Sequence, residues 1–146
     1  MATHGPAGEL RDPERWAETA RALVEAGDQG ALTELVKAYD WPVEGEKVPL
    51  LEAMEALGGA EAAHRLVEAS DPVERRIGAR LMQLVPDGRH LAVLERLVGD
   101  DDEVVARFAR RALETQWRTA EWRAVVDRLA RSENPEVRQA AESWLS

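Results

Sequence analysis

The sequence contains no cysteine, and it has one tyrosine and one phenylalanine among 146 residues. Without cysteine the chain has no disulfide framework, no thiolate nucleophile and no cysteine metal site. Its apolar runs are far shorter than the roughly 20 residues that a membrane-spanning helix needs. The N-terminal residues do not have the charged and apolar regions of a signal peptide. We therefore expect a soluble, cytoplasmic protein with no membrane attachment.

Sequence motifs for catalysis and metal binding are missing as well. The three histidines, His4, His64 and His90, are far apart and outside the HExxH and HxH patterns. The glycines form neither a phosphate-binding loop nor a dinucleotide fingerprint, and no serine lies in a nucleophile elbow. We therefore expect ordinary surface or packing roles for the histidines, no cofactor and no enzymatic activity.

The charge is acidic and unevenly distributed. The net charge is −9, with 14 acidic and 6 basic residues in 1–70 but 14 acidic and 13 basic residues in 71–146. Affinity for duplex DNA comes mainly from cations that neutralise phosphates. An acidic surface therefore disfavours nucleic acid as a partner.

The sequence does contain a helical repeat. Three apolar triplets have the i, i+4, i+8 spacing of one helix face and recur at a step of 32 residues. They are Val73/Ile77/Leu81, Val105/Ala109/Leu113 and Val137/Ala141/Leu145. Each follows an Asp or Asn that can accept the free amide hydrogens of a first helical turn. We predict that these triplets are buried.

A second helical family lies between these copies. The segment AVLERLV at 92–98 matches AVVDRLA at 124–130, again at a step of 32. Together the two families predict nine short helices. The acidic run at 100–103 fits helix capping better than a calcium loop, because it lacks the glycine and the alternating ligands of such a loop. Pro49, in a weaker copy, must kink its helix or delay its start.

The segment NPEVRQAAESWL at 134–145 resembles the second-helix pattern of the HEAT-repeat family, which is Asp or Asn, Pro, Val-Arg, Ala and Leu. At the arginine position of that pattern, Arg138 is aligned with Ala106 and Glu74 at the 32-residue step. The resemblance covers roughly 30–145. It implies an all-α fold, a right-handed α-solenoid of about four HEAT-like helix pairs plus a leading helix. We expect one repeat domain at 9–146 after a disordered tail at 1–8.

Two functions fit this expected architecture. The first is a non-catalytic protein–protein interaction module, a scaffold, adaptor or inhibitor that binds an unidentified protein partner on the solenoid surface. The alternative is a HEAT-like nucleic-acid-binding protein or a small enzyme of the DNA-glycosylase type, in which tryptophans would stack on a base. Structural packing near the open C-terminal end of the solenoid is the simpler explanation of the tryptophans. They are Trp16, Trp41, Trp117, Trp122 and Trp144.

Arginines provide the candidate partner-binding residues, which are Arg75, Arg107 and Arg111. Arg107 and Arg111 lie off the predicted buried face of their helix, and the 32-residue step gives Arg75 the position of Arg107. Arginine is enriched at interface hot spots because its planar fork binds carboxylates. The competing interpretation is a solvated helix face in which Glu103 pairs with Arg107.

Overall fold

The computed structural model describes residues 8–146, and all regular secondary structure in this range is helical. Nine α-helices and four short 3-10 segments occur in it, with no strand between residues 8 and 146. The all-α class and the number of helices are therefore confirmed for these residues. The predicted tail at 1–8, including His4, lies outside them except for Gly8. The α-helices are α1 (Trp16–Ala26), α2 (Leu32–Asp40), α3 (Val48–Ala56), α4 (Gly59–Leu66), α5 (Pro72–Leu84), α6 (Leu91–Leu97), α7 (Glu103–Thr115), α8 (Ala120–Leu129) and α9 (Pro135–Leu145).

The chain divides into two compact units, and the boundary falls within α4, after Glu61. In the first unit α3 packs against α1 and α2. Trp16 is buried at the start of α1, and its Nε1 donates to the carbonyl of Leu10 at 2.8 Å. Pro49 lies in the first turn of α3, where its missing amide hydrogen has no helical acceptor to lose. The proline therefore delays the start of the helix, which is one of its two predicted effects.

In the second unit, from Ala62 to Ser146, helices of two kinds alternate. Helix α5 packs against α7, α6 packs against α7 and α8, and α8 packs against α9. Side-chain oxygens of Asp71, Asp102 and Asn134 accept first-turn amide hydrogens of α5, α7 and α9 at 2.9–3.0 Å. The predicted helix starts are confirmed, and Asp102 caps α7.

These caps also correct the predicted register of α5. Asp71 and Asp102 are 31 residues apart, whereas Asp102 and Asn134 are 32 apart. The constant step of 32 therefore misplaced α5 by one residue. Val73, predicted to be buried, is 55% exposed, and Ile77 is only half-buried. The buried residues of α5 are Gly78, Ala79, Leu81 and Met82.

The other two triplets have different outcomes. Val105, Ala109 and Leu113 of α7 are fully buried, as predicted. In α9, Val137 and Ala141 are buried, but Leu145 is 37% exposed, so that part of the prediction is wrong. The reason is that α7 packs against both α5 and α6, whereas α9 packs mainly against α8.

A small residue lies seven positions after each of the three caps, and all three are buried: Gly78, Ala109 and Ala141. At Gly78 a Cβ would lie 2.7 Å from Cγ1 and 2.9 Å from the backbone nitrogen of Val67. The position is therefore small because the backbone that follows α4 passes directly over α5. None of the helices described between residues 8 and 146 has both the length and the apolar character needed to cross a bilayer.

Candidate functional site

Arg75 is engaged inside the chain. Its Nη1 donates to the carbonyls of Ala69 and Ser70 at 3.1 and 2.8 Å, and its Nε lies 3.3 Å from Oδ2 of Asp100. Only 18% of its side chain is exposed. Arg138 makes the same contact in α9, donating to the carbonyl six residues before it at 3.0 Å. Arg75 therefore fastens the turn before α5.

The cap-based register changes which arginines are equivalent. Arg75 and Arg138 both lie four residues after a cap, at the arginine position of the HEAT pattern, and Ala106 holds that position in α7. The predicted equivalence of Arg75 with Arg107 is wrong by one residue, as is the alignment of Glu74 with Arg138. The residue of α5 equivalent to Arg107 is Arg76.

Arg107 and Arg111 lie on the surface of α7, four residues apart, and both are exposed. No residue of the described part of the chain forms an ion pair or a side-chain hydrogen bond with either of them. The predicted pairing of Glu103 with Arg107 does not form. Glu103 instead accepts from Arg110 at 2.9 Å. Two cations on one exposed helix face are therefore available to a partner.

Helix α5 adds two arginines at the equivalent positions, five and nine residues after its cap. Arg76 donates from Nε and Nη2 to the two carboxylate oxygens of Asp102 at 3.0 and 2.7 Å. The guanidinium of Arg80 lies 5.6 Å from the ring centre of Phe108, on α7. These contacts place both side chains against α7. We call Arg76, Arg80, Arg107 and Arg111 the arginine face.

The pair between Arg76 and Asp102 also has an electrostatic effect. The hydrogen bond from Arg76, together with those from the first-turn amides of α7, lowers the pKa of Asp102 to about 2. The carboxylate therefore stays charged well into acid. It keeps α5 joined to α7 and holds the two halves of the arginine face side by side.

A second feature lies at the turn between α7 and α8. A cleft of about 320 Å³ is bounded by residues of this turn and of the segment that begins α6. Trp117 is 70% exposed in it, so the packing interpretation is wrong for this tryptophan. Trp122, by contrast, is buried as expected, and its Nε1 donates to the carbonyl of Leu113 at 2.9 Å. The lining residues are Gly88, Leu91, Gln116, Trp117, Thr119, Ala120 and Glu121.

Gln116, in this lining, is 5% exposed, and its Nε2 has no hydrogen-bond partner among the described residues. A buried amide donor without an acceptor costs about 1–3 kcal/mol, so such groups are rare away from functional sites. The turn is otherwise well bonded: the hydroxyl of Thr119 accepts from the amide of Trp122 at 3.1 Å. The unpartnered amide of Gln116 therefore adjoins a turn that is held by this hydrogen bond.

His64 and His90 meet in the second unit, although 26 residues separate them. His64 Nε2 lies 2.9 Å from His90 Nδ1, and His90 Nε2 lies 2.9 Å from the carbonyl oxygen of Val85. Because a carbonyl only accepts, His90 carries its proton on Nε2, and His64 donates to Nδ1. Burial lowers the pKa of His90. No sequence pattern predicts this contact.

The histidine pair does not extend to a metal site. Between residues 8 and 146 no group of three or more histidine or acidic side chains is arranged to hold a metal ion. Three of the four ring nitrogens of the pair face an internal hydrogen-bond partner. The predicted packing role fits this arrangement.

No protein-family model and no curated protein matches the chain.

Proposed function

We propose that this chain is a non-catalytic protein–protein interaction module that binds an acidic segment of a partner on its arginine face. The observation that carries the proposal is the pair Arg107 and Arg111, exposed and unpartnered within the described residues of a chain with 28 acidic side chains. Arginine binds a carboxylate through two parallel hydrogen bonds, which gives both energy and orientation. A partner that supplies carboxylates would complete this face.

The proposed scaffold is a HEAT-like right-handed α-solenoid. Three features of the second unit support it: α5 packs on α7, α6 packs on α8, and the caps recur at steps of 31 and 32 residues. Ion pairs also join consecutive helices of the second family. Arg128 of α8 donates to both carboxylate oxygens of Glu95 of α6 at 2.7 and 2.8 Å. Stacked pairs of this kind present extended surfaces rather than deep pockets, which suits a binding module.

Two of the four side chains of the arginine face are already held in place, which favours binding. Arg76 is fixed by Asp102, and Arg80 donates to Gln83 at 2.5 Å while it lies beside Phe108. Side chains that are already held lose less conformational entropy when a partner binds. The two fixed arginines shape the surface, and the two unpartnered arginines supply the new ion pairs.

The test is a charge reversal, Arg107→Glu with Arg111→Glu, against a matched control, Arg123→Glu with Arg131→Glu. The control arginines are also exposed and make no side-chain contact in the described structure, so both variants change the net charge equally. Binding of a labelled Asp/Glu-rich peptide is measured by fluorescence anisotropy, and proteins captured from the native cell are identified by mass spectrometry. Circular dichroism checks that both variants keep their helix content.

We expect the control to bind like the wild type and the Arg107/Arg111 variant to bind at least about tenfold more weakly. One lost charge-assisted pair is worth about 1.5–3 kcal/mol, and 1.4 kcal/mol corresponds to a factor of ten. Equal binding by the two variants would contradict the proposal.

A further inference from the structure

The cleft beside α8 differs in chemistry from the arginine face. Its lining holds one carboxylate, Glu121, and no lysine or arginine. It also holds an exposed indole, Trp117, and a buried amide donor on Gln116 that no described residue accepts from. This set of groups disfavours an anion. It suits a ligand with a positive charge, a flat face and a hydrogen-bond acceptor.

Trp117, Glu121 and Gln116 can each bind a different part of one ligand. The face of an indole attracts a cation, and a guanidinium stacks on it with its planar surface. A carboxylate beside the ring adds a charge-assisted hydrogen bond. The Gln116 amide needs an acceptor, and the peptide carbonyl of a polypeptide supplies one next to a side chain. A peptide arginine supplies the cation, the planar group and the carbonyl acceptor in one residue.

The same turn already contains an arginine stacked on a tryptophan. The guanidinium of Arg118 lies 4.1 Å from the ring centre of Trp122, and its Nη1 donates to the carbonyl of Leu113 at 3.2 Å. Trp122 is covered in this way, whereas Trp117, one residue before Arg118, has its ring in solvent. The volume of about 320 Å³ is at the small end of ligand clefts, which typically measure about 300–1,000 Å³. It therefore fits one side chain and its peptide group.

We propose that this cleft binds an arginine-bearing segment of a second protein. The arginine guanidinium stacks on Trp117 and pairs with Glu121, and an adjacent main-chain carbonyl accepts from Nε2 of Gln116 once that side chain turns out of its buried position. The net charge of −9 favours the approach of such a basic segment. The occupant is a polypeptide, so this inference rests on the proposed function, at a second surface of opposite charge.

Isothermal titration calorimetry with two capped tripeptides tests the proposal on the full chain. The first is acetyl-Gly-Arg-Gly-amide, and the second replaces arginine by citrulline, which keeps the shape but has no charge. We expect the arginine peptide to bind at least about tenfold more tightly, since it alone retains the cation–π and ionic contacts. Equal affinity of the two peptides, or no saturation by the arginine peptide up to about 10 mM, overturns the proposal.

Single substitutions test which residues of the cleft contact the arginine peptide. Trp117→Ala should weaken binding of the arginine peptide at least about tenfold, whereas Trp41→Ala, which removes another exposed tryptophan, should leave it unchanged. Glu121→Gln should bring the arginine peptide close to the citrulline peptide. If Trp117→Ala and Trp41→Ala behave alike, the cleft is not the site. Propylguanidinium, which has the guanidinium and side-chain carbons but no peptide carbonyl, should bind more weakly than the tripeptide; equal binding would replace the polypeptide by a small guanidinium compound.

The two proposals fail separately. The Arg107/Arg111 charge-reversal variant should bind the arginine tripeptide as the wild type does, because the cleft lining contains neither residue. Loss of the acidic-peptide interaction alone would leave the cleft intact, and loss of tripeptide binding in Trp117→Ala alone would leave the arginine face intact.

Discussion

At the scale of single residues, neighbouring arginines differ in role because of one position in the helical register. Arg75 donates to carbonyls of the turn before its own helix and also pairs with Asp100, while Arg76, the next residue, pairs with Asp102 alone among the described residues. Arg107 occupies the position equivalent to Arg76, but no described acidic residue reaches it. Arg76 and Arg107 therefore differ because Asp102 pairs with Arg76, whereas no described acidic residue pairs with Arg107. The residue type is the same.

His90 is the second case in which surroundings decide the role of a residue. It is fully buried, and burial lowers its pKa because the charged imidazolium loses its hydration. In the unfolded chain a histidine has a pKa of about 6.5. Below that value the unfolded state binds more protons than the folded state. Stability therefore rises with pH through this range and is lost as the pH falls below about 6.5.

We therefore predict that His90→Gln flattens the pH dependence of stability between about pH 7 and pH 5. The free energy of unfolding is measured by urea titration with circular dichroism at several pH values in this range. His64→Gln is the control, because it leaves His90 buried and should keep most of the slope. An unchanged slope in the His90 variant would show that another group causes the pH dependence.

At the scale of helices, the packing of α5 is governed by its smallest residue. A glycine inside a helix is normally unfavourable by about 1 kcal/mol relative to alanine. Gly78 has no room for a Cβ, since the atoms of Leu66 and Val67 would lie within 2.9 Å of it. The close approach of the chain to α5 requires this glycine, and the equivalent helices tolerate alanine.

We predict that Gly78→Ala destabilises the protein by about 1 kcal/mol or more, although helix propensity alone predicts the opposite sign. Overpacking against a backbone atom typically costs about 1–3 kcal/mol. Gly88→Ala is the control, because a Cβ there meets no atom within 4 Å. Urea denaturation of the two variants gives the comparison. If Gly78→Ala increased the free energy of unfolding, the chain at Leu66 and Val67 would move away from the new Cβ at little cost.

The helices and their caps could be predicted from the sequence, and several positions within them could not. Caps depend on local residues, so an Asp or Asn could be predicted at the start of α5, α7 and α9, although not which aspartate of the run 100–102 caps α7. The register of α5 failed because one intervening turn is a residue shorter, and an average period conceals such a change. The meeting of His64 with His90 and the lining of the cleft by Gln116 arise from tertiary packing, for which a single sequence carries no periodic signal.

At the scale of the whole chain, charge separates the two candidate functions. Residues 1–70 carry a balance of −8 and residues 71–146 a balance of −1. The arginine face and the cleft both belong to the second, nearly neutral part. Four arginines on adjacent helices would also suit phosphates, so nucleic acid is the natural competitor for the face. The net negative charge opposes a phosphate backbone, which carries a charge at every nucleotide, more strongly than a short acidic peptide with few charges.

We therefore predict that the protein does not retain a duplex DNA of about 20 base pairs in an electrophoretic assay at about 20 mM salt, even at about 50 µM protein. Non-specific DNA-binding proteins reach dissociation constants of about 10⁻⁴–10⁻⁶ M at physiological salt, and lower salt tightens binding further for each phosphate contact. A DNA-binding surface would therefore be evident under these conditions. Retention that disappears in the Arg107/Arg111 charge-reversal variant but persists in the Arg123/Arg131 control would make nucleic acid the ligand of the arginine face. Absence of retention, together with tight binding of the acidic peptide, would assign that face to a protein partner, because both ligands are anionic and only the peptide would then bind.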